Sequence, residues 1–431
     1  MRSSRRKFVE NAIVSCMAIA SHKNLLALVA KTANKSAVGH PVDPDLRRNL
    51  LRIDQVMRSK GIQLDPNSGR PFFTGYSYKN LYDWDPYFEG IVQLELGWTP
   101  QYMINGVKIF LDIQRADGYI RRVNDPTPRE EADEMFKPFL AQISLLISRK
   151  LANTQWLDDN YYQRMRKFLL YWLNVLTKNN GELSYWRSAP HTGMDTQHER
   201  AGHWKADYDN GVDLNAYLYR ECLAFALIAD ARKNPADAQL FRDKAEQKKK
   251  AIQESCWNEE DGFYYDVDNR TGMQIPVKSI AGFAPLWARI ATQDQAKRLV
   301  GEHLTNVHEF WRKFPVSSLA ATEKKYTESY LPDDVRGSLW RANTWIPTNY
   351  FIFHGLRAYG YKDIATRLAD VTLQMILKNG DREYYSSDSA GGCGLDPFWG
   401  WSLLAYFMPW ENLNDLDPTA LSLSDPIVPA L

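Results

Sequence analysis

Residues 86–115 read PYFEGIVQLELGWTPQYMINGVKIFLDIQR. Tyr87, Ile91 and Leu94 recur at three- and four-residue spacing, and Met103, Val107 and Phe110 repeat the pattern. Gly97-Trp98-Thr99-Pro100 breaks the run between them, so the spacing predicts helices over 86–98 and 101–115 joined by a tight turn. A helical hairpin is therefore the building unit.

The same unit recurs outward from this stretch. Helical patterns cover 134–152, 156–177, 212–232, 236–254, 282–290, 292–303, 343–359, 361–378 and 398–408. The loops between them share an Asp-Gly or Asn-Gly step beside aromatic residues. Asp117-Gly118-Tyr119-Ile120 and Asn379-Gly380-Asp381-Arg382-Glu383-Tyr384-Tyr385 are two, and 257–266 reads as a hairpin. No βαβ alternation is present, which argues against a parallel-sheet fold. Ten to twelve helices that cannot bury a face alone, with loops gathered at one end, fit an all-α toroid of hairpins. An irregular bundle or superhelical repeat fits the pattern as well.

Composition narrows the function. The 431 residues carry 53 Lys plus Arg against 52 Asp plus Glu, so no net field recruits nucleic acid or anionic lipid. Fourteen Trp, 23 Tyr and 18 Phe supply flat faces that suit sugar rings and large cores alike. The N-terminus, Met1-Arg2-Ser3-Ser4-Arg5-Arg6-Lys7-Phe8, is basic and precedes an apolar patch. It resembles a twin-arginine export signal, so residues 1–45 are expected to be leader and tether, with a periplasmic or extracellular destination. The apolar patches are too short to span a bilayer. Residues 46–431 show no internal boundary; the polar stretch 312–334 reads as a cover. Cys16, Cys222, Cys256 and Cys393 imply no disulfide framework. His191, His198 and His203 match no metal-ligand spacing, so neither metal nor cofactor is expected. Oligomeric state is not legible.

Three loop clusters hold the chemistry. In Tyr82-Asp83-Trp84-Asp85-Pro86-Tyr87-Phe88-Glu89-Gly90 acidic residues alternate with rings, and Asp85 reads as a helix N-cap ahead of Pro86 that can also meet a ligand. Thr192-Gly193-Met194-Asp195 presents one carboxylate in a long loop. Glu383 sits among rings ahead of Gly391-Gly392-Cys393-Gly394 and Phe398-Trp399-Gly400-Trp401-Ser402. Two loop carboxylates across an aromatic cavity suit glycoside hydrolysis, in which one acid donates a proton and one base stays ionised. No Gly-x-Ser-x-Gly elbow or phosphate loop competes with that reading.

These elements resemble, in order, the motifs of trehalases, processing α-glucosidases and mannosylglycerate hydrolases, an (α/α)6-barrel group of inverting glycoside hydrolases. Trp84-Asp85-Pro86-Tyr87-Phe88 is similar to their Trp-Asp-Ser-Tyr-Phe element, and Thr192-Gly193-Met194-Asp195 to the loop of the general acid. Val212-Asp213-Leu214-Asn215-Ala216 is similar to their Val-Asp-Leu-Asn-Ala helix start, and Trp340-Arg341-Ala342-Asn343-Thr344-Trp345 to a Trp-Arg-Gly-Pro-x-Trp segment. Glu383-Tyr384-Tyr385 resembles the Glu-x-Tyr loop of the general base.

The resemblance implies a single (α/α)6 barrel with Asp195 as acid and Glu383 as base, their carboxyls about 6.5–9.5 Å apart. Asp195 would need a raised pKa, and Glu383 would stay ionised. Trp84, Asp85 and Phe88 would border the glycone, Trp340, Arg341 and Trp345 another wall, and Tyr384 and Trp401 would be platforms. Arg341 would bind a sugar hydroxyl, an anionic aglycone or the base, with an ion pair that stiffens the barrel as its alternative. Trp340 and Trp345 taken singly read equally as core, whereas Asp213 and Asn215 read as a helix-start network. The implied substrate is a small α-glucoside or α-mannoside. Other carbohydrate chemistry on the same scaffold, uronide hydrolysis or epimerisation, and a non-catalytic sugar-binding barrel are the alternatives.

Overall fold

The structure is a computed structural model that describes residues 44–75, 79–125, 134–177, 182–201, 208–327, 339–425 and 427–431. The expected leader and His203 lie outside the described residues. Among the described residues no helix is long and apolar enough to cross a membrane.

Two kinds of helix alternate along the chain. α1 (Pro44–Lys60), α3 (Gln101–Asp112), α5 (Asp159–Asn174), α9 (Pro235–Ala251), α11 (Gln293–Arg298) and α13 (Lys362–Asn379) keep part of their surface in water. In α13 the buried set is Ala365, Leu368, Ala369, Thr372, Met375 and Ile376, a single stripe at helical spacing. The other kind is α2 (Asp85–Glu95), α4 (Leu140–Leu151), α8 (Val212–Ala231), α10 (Ala284–Trp287), α12 (Ile346–Ala358) and α14 (Leu404–Leu413). These are buried nearly all round; every residue of α2 is buried. A helix apolar on all sides needs neighbours on all sides. Contacts run pairwise from α2 to α4, from α4 to α8, from α8 to α10, from α10 to α12, from α12 to α14, and from α14 back to α2.

The middle of that cycle is filled, not open. Tyr87 and Phe88 of α2, Phe139 just ahead of α4, Tyr217 of α8, Trp287 of α10 and Phe351 of α12 interlock there. Trp287 stacks on Phe351 at 3.8 Å, and Phe88 lies 5.1 Å from the same ring. Aromatic pairs of this kind add roughly 0.5–1.5 kcal/mol each beyond their burial. One face of this plug is closed by the C-terminal segment. Arg149 binds the carbonyls of Pro418 and Asp425 there, and the Arg220 guanidinium covers the Trp287 ring at 3.8 Å. The three chemistry-bearing loops gather over Trp84 and Trp401, which rest on Phe88 at the plug's other side.

Local departures from the predicted elements have local causes. α4 starts at Leu140, not near 134, because Pro138 disfavours helical backbone at Lys137. Around 282–290 only one α-turn forms, entered through the 3-10 turn Ile280–Phe283 that Ser279 caps. The last helix begins at Leu404 after a 3-10 turn at Trp401–Leu403. The hairpin at 257–266 forms, with Trp257 paired to Tyr264 and Asn258 to Phe263.

Candidate active site

The loop carrying Asp195 is built from short-range bonds. Ser188 Oγ accepts from His191 N–H at 3.2 Å and caps the one-turn helix α6 (Ala189–Thr192). Gly193 ends it with φ +83°, a conformation that a side chain resists. A Cβ there would also lie 3.0 Å from Lys137 Cε and 3.1 Å from Trp84 Cζ2. Thr192 Oγ1 then accepts the Met194 N–H at 2.8 Å, and the His198 ring meets the Asp195 carbonyl at 3.0 Å. Asp195 itself is half-buried. α7 (His198–Ala201) follows and sends Arg200 into a buried carboxylate cluster. Its guanidinium donates to Asp213 Oδ1 at 2.9 Å and to Asp266 Oδ1 at 3.0 Å. Asp213 and Asn215 thus serve the helix start, as expected: Asp213 also accepts from Trp186 Nε1, and Asn215 binds Ser184 and Gly211.

Glu383 is delivered by a hairpin in which Tyr384 pairs with Cys393 and Tyr385 with Gly392. Leu395 N–H donates to Glu383 Oε2 at 3.1 Å, and Trp401 Nε1 donates to the Glu383 carbonyl at 2.9 Å. Gly394, at φ +72°, leaves room for that carboxylate, because a Cβ there would overlap Oε2. Burial, opposed by the Leu395 bond and reinforced by the negative charge of Asp195, pushes the Glu383 carboxyl up to about 7. About half of it is therefore ionised at neutral pH, whereas the sequence reading had it ionised throughout.

The rings form one connected array. Trp340 and Trp345 are parallel at 3.9 Å, and Trp345 stacks on Tyr384 at 4.6 Å. Trp84 lies 6.3 Å from both Trp340 and Trp401. The tryptophans are buried and Tyr384 is half-buried. Phe88, expected at the pocket wall, is wholly buried in the plug and supports Trp84 from beneath. Asp85 is the first residue of α2 and not its cap; Trp84 takes the cap position and no side chain bonds there. Burial raises the Asp85 carboxyl to about 7 against the pull of Lys137 and Arg122, and Glu383 adds to the rise. Arg341 is buried and lies 3.5 Å from Glu199.

Several charged residues at the site escaped the sequence reading. Lys137 is bonded to Asp83, Arg122 lies 2.5 Å from Glu134, and Arg122 Nη1 also donates to the Pro190 carbonyl at 3.1 Å. Glu89 accepts the Gly75 N–H at 2.7 Å, and burial, then Asp85, holds its carboxyl well above the usual range. Pro138 was the available signal for Lys137, since it ends any helical reading of 134–139. His191 is a core residue: Arg187 N–H donates to its Nδ1, its Nε2 faces the Met135 carbonyl, and it stacks on Trp172 at 5.5 Å. Burial, with Lys137 and Arg122 nearby, keeps it far below its ordinary pKa and neutral. Among the described residues no group of three His, Cys, Asp or Glu is placed to hold a metal ion.

The chain has relatives among known proteins. The profile described as "Mannosylglycerate hydrolase MGH1-like glycoside hydrolase domain" matches residues 78–402. Mannosylglycerate hydrolase of Thermus thermophilus is 32% identical over 157 residues, 36% of this chain and 35% of that protein. A probable trehalase of Saccharomyces cerevisiae is 28% identical over 203 residues, 45% of this chain and 25% of that protein. The alignments thus span about a third or less of these relatives' length. The crystal structure of a mannosylglycerate hydrolase from Thermus thermophilus in complex with Tris and D-glycerate superposes with TM-score 0.67 at 19% identity. The superposition covers 85% of this chain and 99% of that one. Fold and match together define a glycoside hydrolase domain of the trehalase-like group. The chain belongs to the MGH1-like mannosylglycerate hydrolase family of glycoside hydrolases.

Proposed function

We propose that this protein hydrolyses a small α-glucoside or α-mannoside by a single inverting displacement. Asp195 protonates the glycosidic oxygen, while Glu383 takes a proton from a water that attacks the anomeric carbon from the opposite face. What carries the reading is the electrostatic meeting of these two carboxyls, each delivered by its own loop over the ring array. Glu383 lies close enough to feel the charge of Asp195 whenever that acid has given up its proton, although burial is the larger cause of its rise. A base poised near 7 suits work at neutral pH. The half-buried Tyr384 is the ring of the array placed to face a sugar, backed by the buried Trp84, Trp340, Trp345 and Trp401, and Asp85 supplies an acceptor for hydroxyls. The relatives' names point to mannosylglycerate and trehalose as first substrates. No cofactor enters this chemistry.

In this reading the cycle of six buried helices is the inner wall of an (α/α)6 barrel, and residues from about 46 onward form one catalytic domain. The basic-then-apolar N-terminus supports export.

The test is incubation with trehalose, mannosylglycerate and a panel of α-glucosides and α-mannosides, following the product anomer by proton NMR. Prompt appearance of the β-anomer is expected, and its loss in Asp195→Asn and Glu383→Gln. From mannosylglycerate or an α-glycoside with a non-anomeric leaving group, an α-anomer formed first would overturn the inverting mechanism; inversion of trehalose gives α- and β-glucose in equal amounts. Sugar binding without product, unchanged in Asp195→Asn, would favour a binding barrel, and turnover confined to uronides the other enzymatic reading.

A further inference from the structure

Directly after Asp195 come two residues whose side chains are buried. They grip a single distant residue through its backbone. Thr196 Oγ1 accepts the Trp340 N–H at 3.0 Å, and Gln197 Nε2 donates to the Trp340 carbonyl at 2.7 Å. The backbone of Trp340 is thus held at both its polar groups by neighbouring side chains of the Asp195 loop. Gln197 is itself anchored, because Nε2 also donates to the Ser318 carbonyl at 2.8 Å, and Oε1 accepts from Ser279 Oγ at 2.6 Å. Ser279 caps the turn entering α10, and the Ser318 carbonyl accepts from Ile280 N–H, so this anchor is the helical wall itself. Thr196 and Gln197 are both essentially solvent-free. A buried amide with both donors and its acceptor engaged has one orientation and resists displacement.

From Trp340 the connection runs on to Glu383 by two routes. One is the ring stack Trp340, Trp345, Tyr384, the last being the residue next to Glu383. The other is backbone: Thr344, four residues past Trp340, exchanges both hydrogen bonds with Tyr385 at 2.8 and 3.0 Å. The links are short, and every residue in them except Tyr384 is buried.

We propose that Thr196 and Gln197 form a clamp that holds the Asp195 loop in register with the Glu383 hairpin, and so sets the proton donor's position relative to the base. They are positioning residues. This rests on the acid and base roles proposed above.

If the clamp acts through the acid, loosening it should hurt only reactions that need proton donation. A dinitrophenolate leaves without a proton, whereas the sugar alkoxide leaving trehalose, or the glycerate alkoxide leaving mannosylglycerate, does not. The experiment compares wild type, Thr196→Val, Thr196→Ser, Gln197→Leu and Asp195→Asn on trehalose, mannosylglycerate, and the 2,4-dinitrophenyl α-glucoside and α-mannoside. Thr196→Val and Gln197→Leu are expected to lose about tenfold to a hundredfold in kcat on the unactivated substrate, in line with the cost of small misplacements. They should lose less than about threefold on the activated one, with KM and melting temperature little changed for Thr196→Val. Thr196→Ser, which keeps the hydroxyl, should restore wild-type rates. Equal losses on both substrate types, or none on either, while Asp195→Asn shows the split, would overturn the clamp. Should Asp195→Asn retain wild-type turnover on the unactivated substrate, it is the acid assignment that falls. Thr196→Val alone decides the question if Gln197→Leu does not fold.

Discussion

Lys137 Nζ lies 2.5 Å from Asp83 Oδ2, and neither side chain touches solvent. The ammonium also sits 5.2 Å from the Trp84 ring centroid and the Lys137 Cε lies beside Gly193, so this ion pair underlies the site where the first motif meets the Asp195 loop. Burial, with Arg122 close by, pulls the Lys137 ammonium down, and Asp83 opposes that pull. Removing one member of a buried pair strands the other charge at a cost of about 3–5 kcal/mol. Lys137→Met and Asp83→Asn should each destabilise the protein by that order in urea unfolding, and the double variant should cost less than the sum. Strict additivity in the double-mutant cycle would show that the pair is not coupled.

The Glu383 carboxyl, pushed up to about 7, predicts the acid limb of the rate profile. Below that pH the carboxyl holds its proton and cannot accept another from water, so kcat/KM should fall about tenfold per pH unit. Asp85 is raised to about 7 as well, which makes it a competing source of the same limb. Asp85→Asn separates the two. If Glu383 carries the limb it persists near 7 in this variant; its disappearance would assign it to Asp85.

Much of this arrangement was legible in the residues, for a physical reason. Long helices advertise themselves through burial period, and the stripe of Leu368, Thr372, Met375 and Ile376 is the kind of pattern that a sequence displays. Glu383 stands out in the sequence as a carboxylate in a loop rich in glycine and rings, and Asp195 as a lone carboxylate after a Gly-Met step in a long loop. Other features depend on which elements become neighbours. Phe88 looks like any ring beside a motif, and only packing against Phe139 and Phe351 makes it core. The grip of Thr196 and Gln197 on Trp340 spans more than 140 residues of chain and has no local signature. Lys137 has no such signature either, because the apolar residues around it continue the helical period of α4 although Pro138 marks the boundary.

Gly394 offers a test of how tightly the base is seated. Its φ of +72° disfavours any side chain, and a Cβ would press on both Glu383 and the Tyr384 ring. Gly394→Ala should therefore displace the carboxylate and lower kcat by an order of 10²-fold, the scale of a misplacement near 1 Å. The melting temperature should drop only modestly, since the hairpin lies at the rim of the fold. Wild-type kcat in this variant would show that the carboxylate has room to spare.

Lys248 lies far from the chemistry and predicts a stability signature of its own. Its ammonium is buried beneath α9, where Nζ donates to the Glu182 carbonyl at 2.8 Å and to Ser184 Oγ at 2.9 Å. No carboxylate pairs with it at hydrogen-bond distance among the described residues, and burial pulls its pKa down to about 7. In the unfolded chain a lysine holds its proton to about 10.4. Between those two values the unfolded state binds more protons than the folded one, so this residue makes stability rise with pH. From pH 7 to 9 the rise should approach about 2 kcal/mol, at 1.36 kcal/mol per pH unit over most of the window. Other groups titrate in the same range, and subtraction of Lys248→Met removes them. The wild-type minus variant difference in unfolding free energy, measured in urea at pH 7, 8 and 9, should climb by that amount; a flat difference would mean that Lys248 keeps its proton in the folded protein.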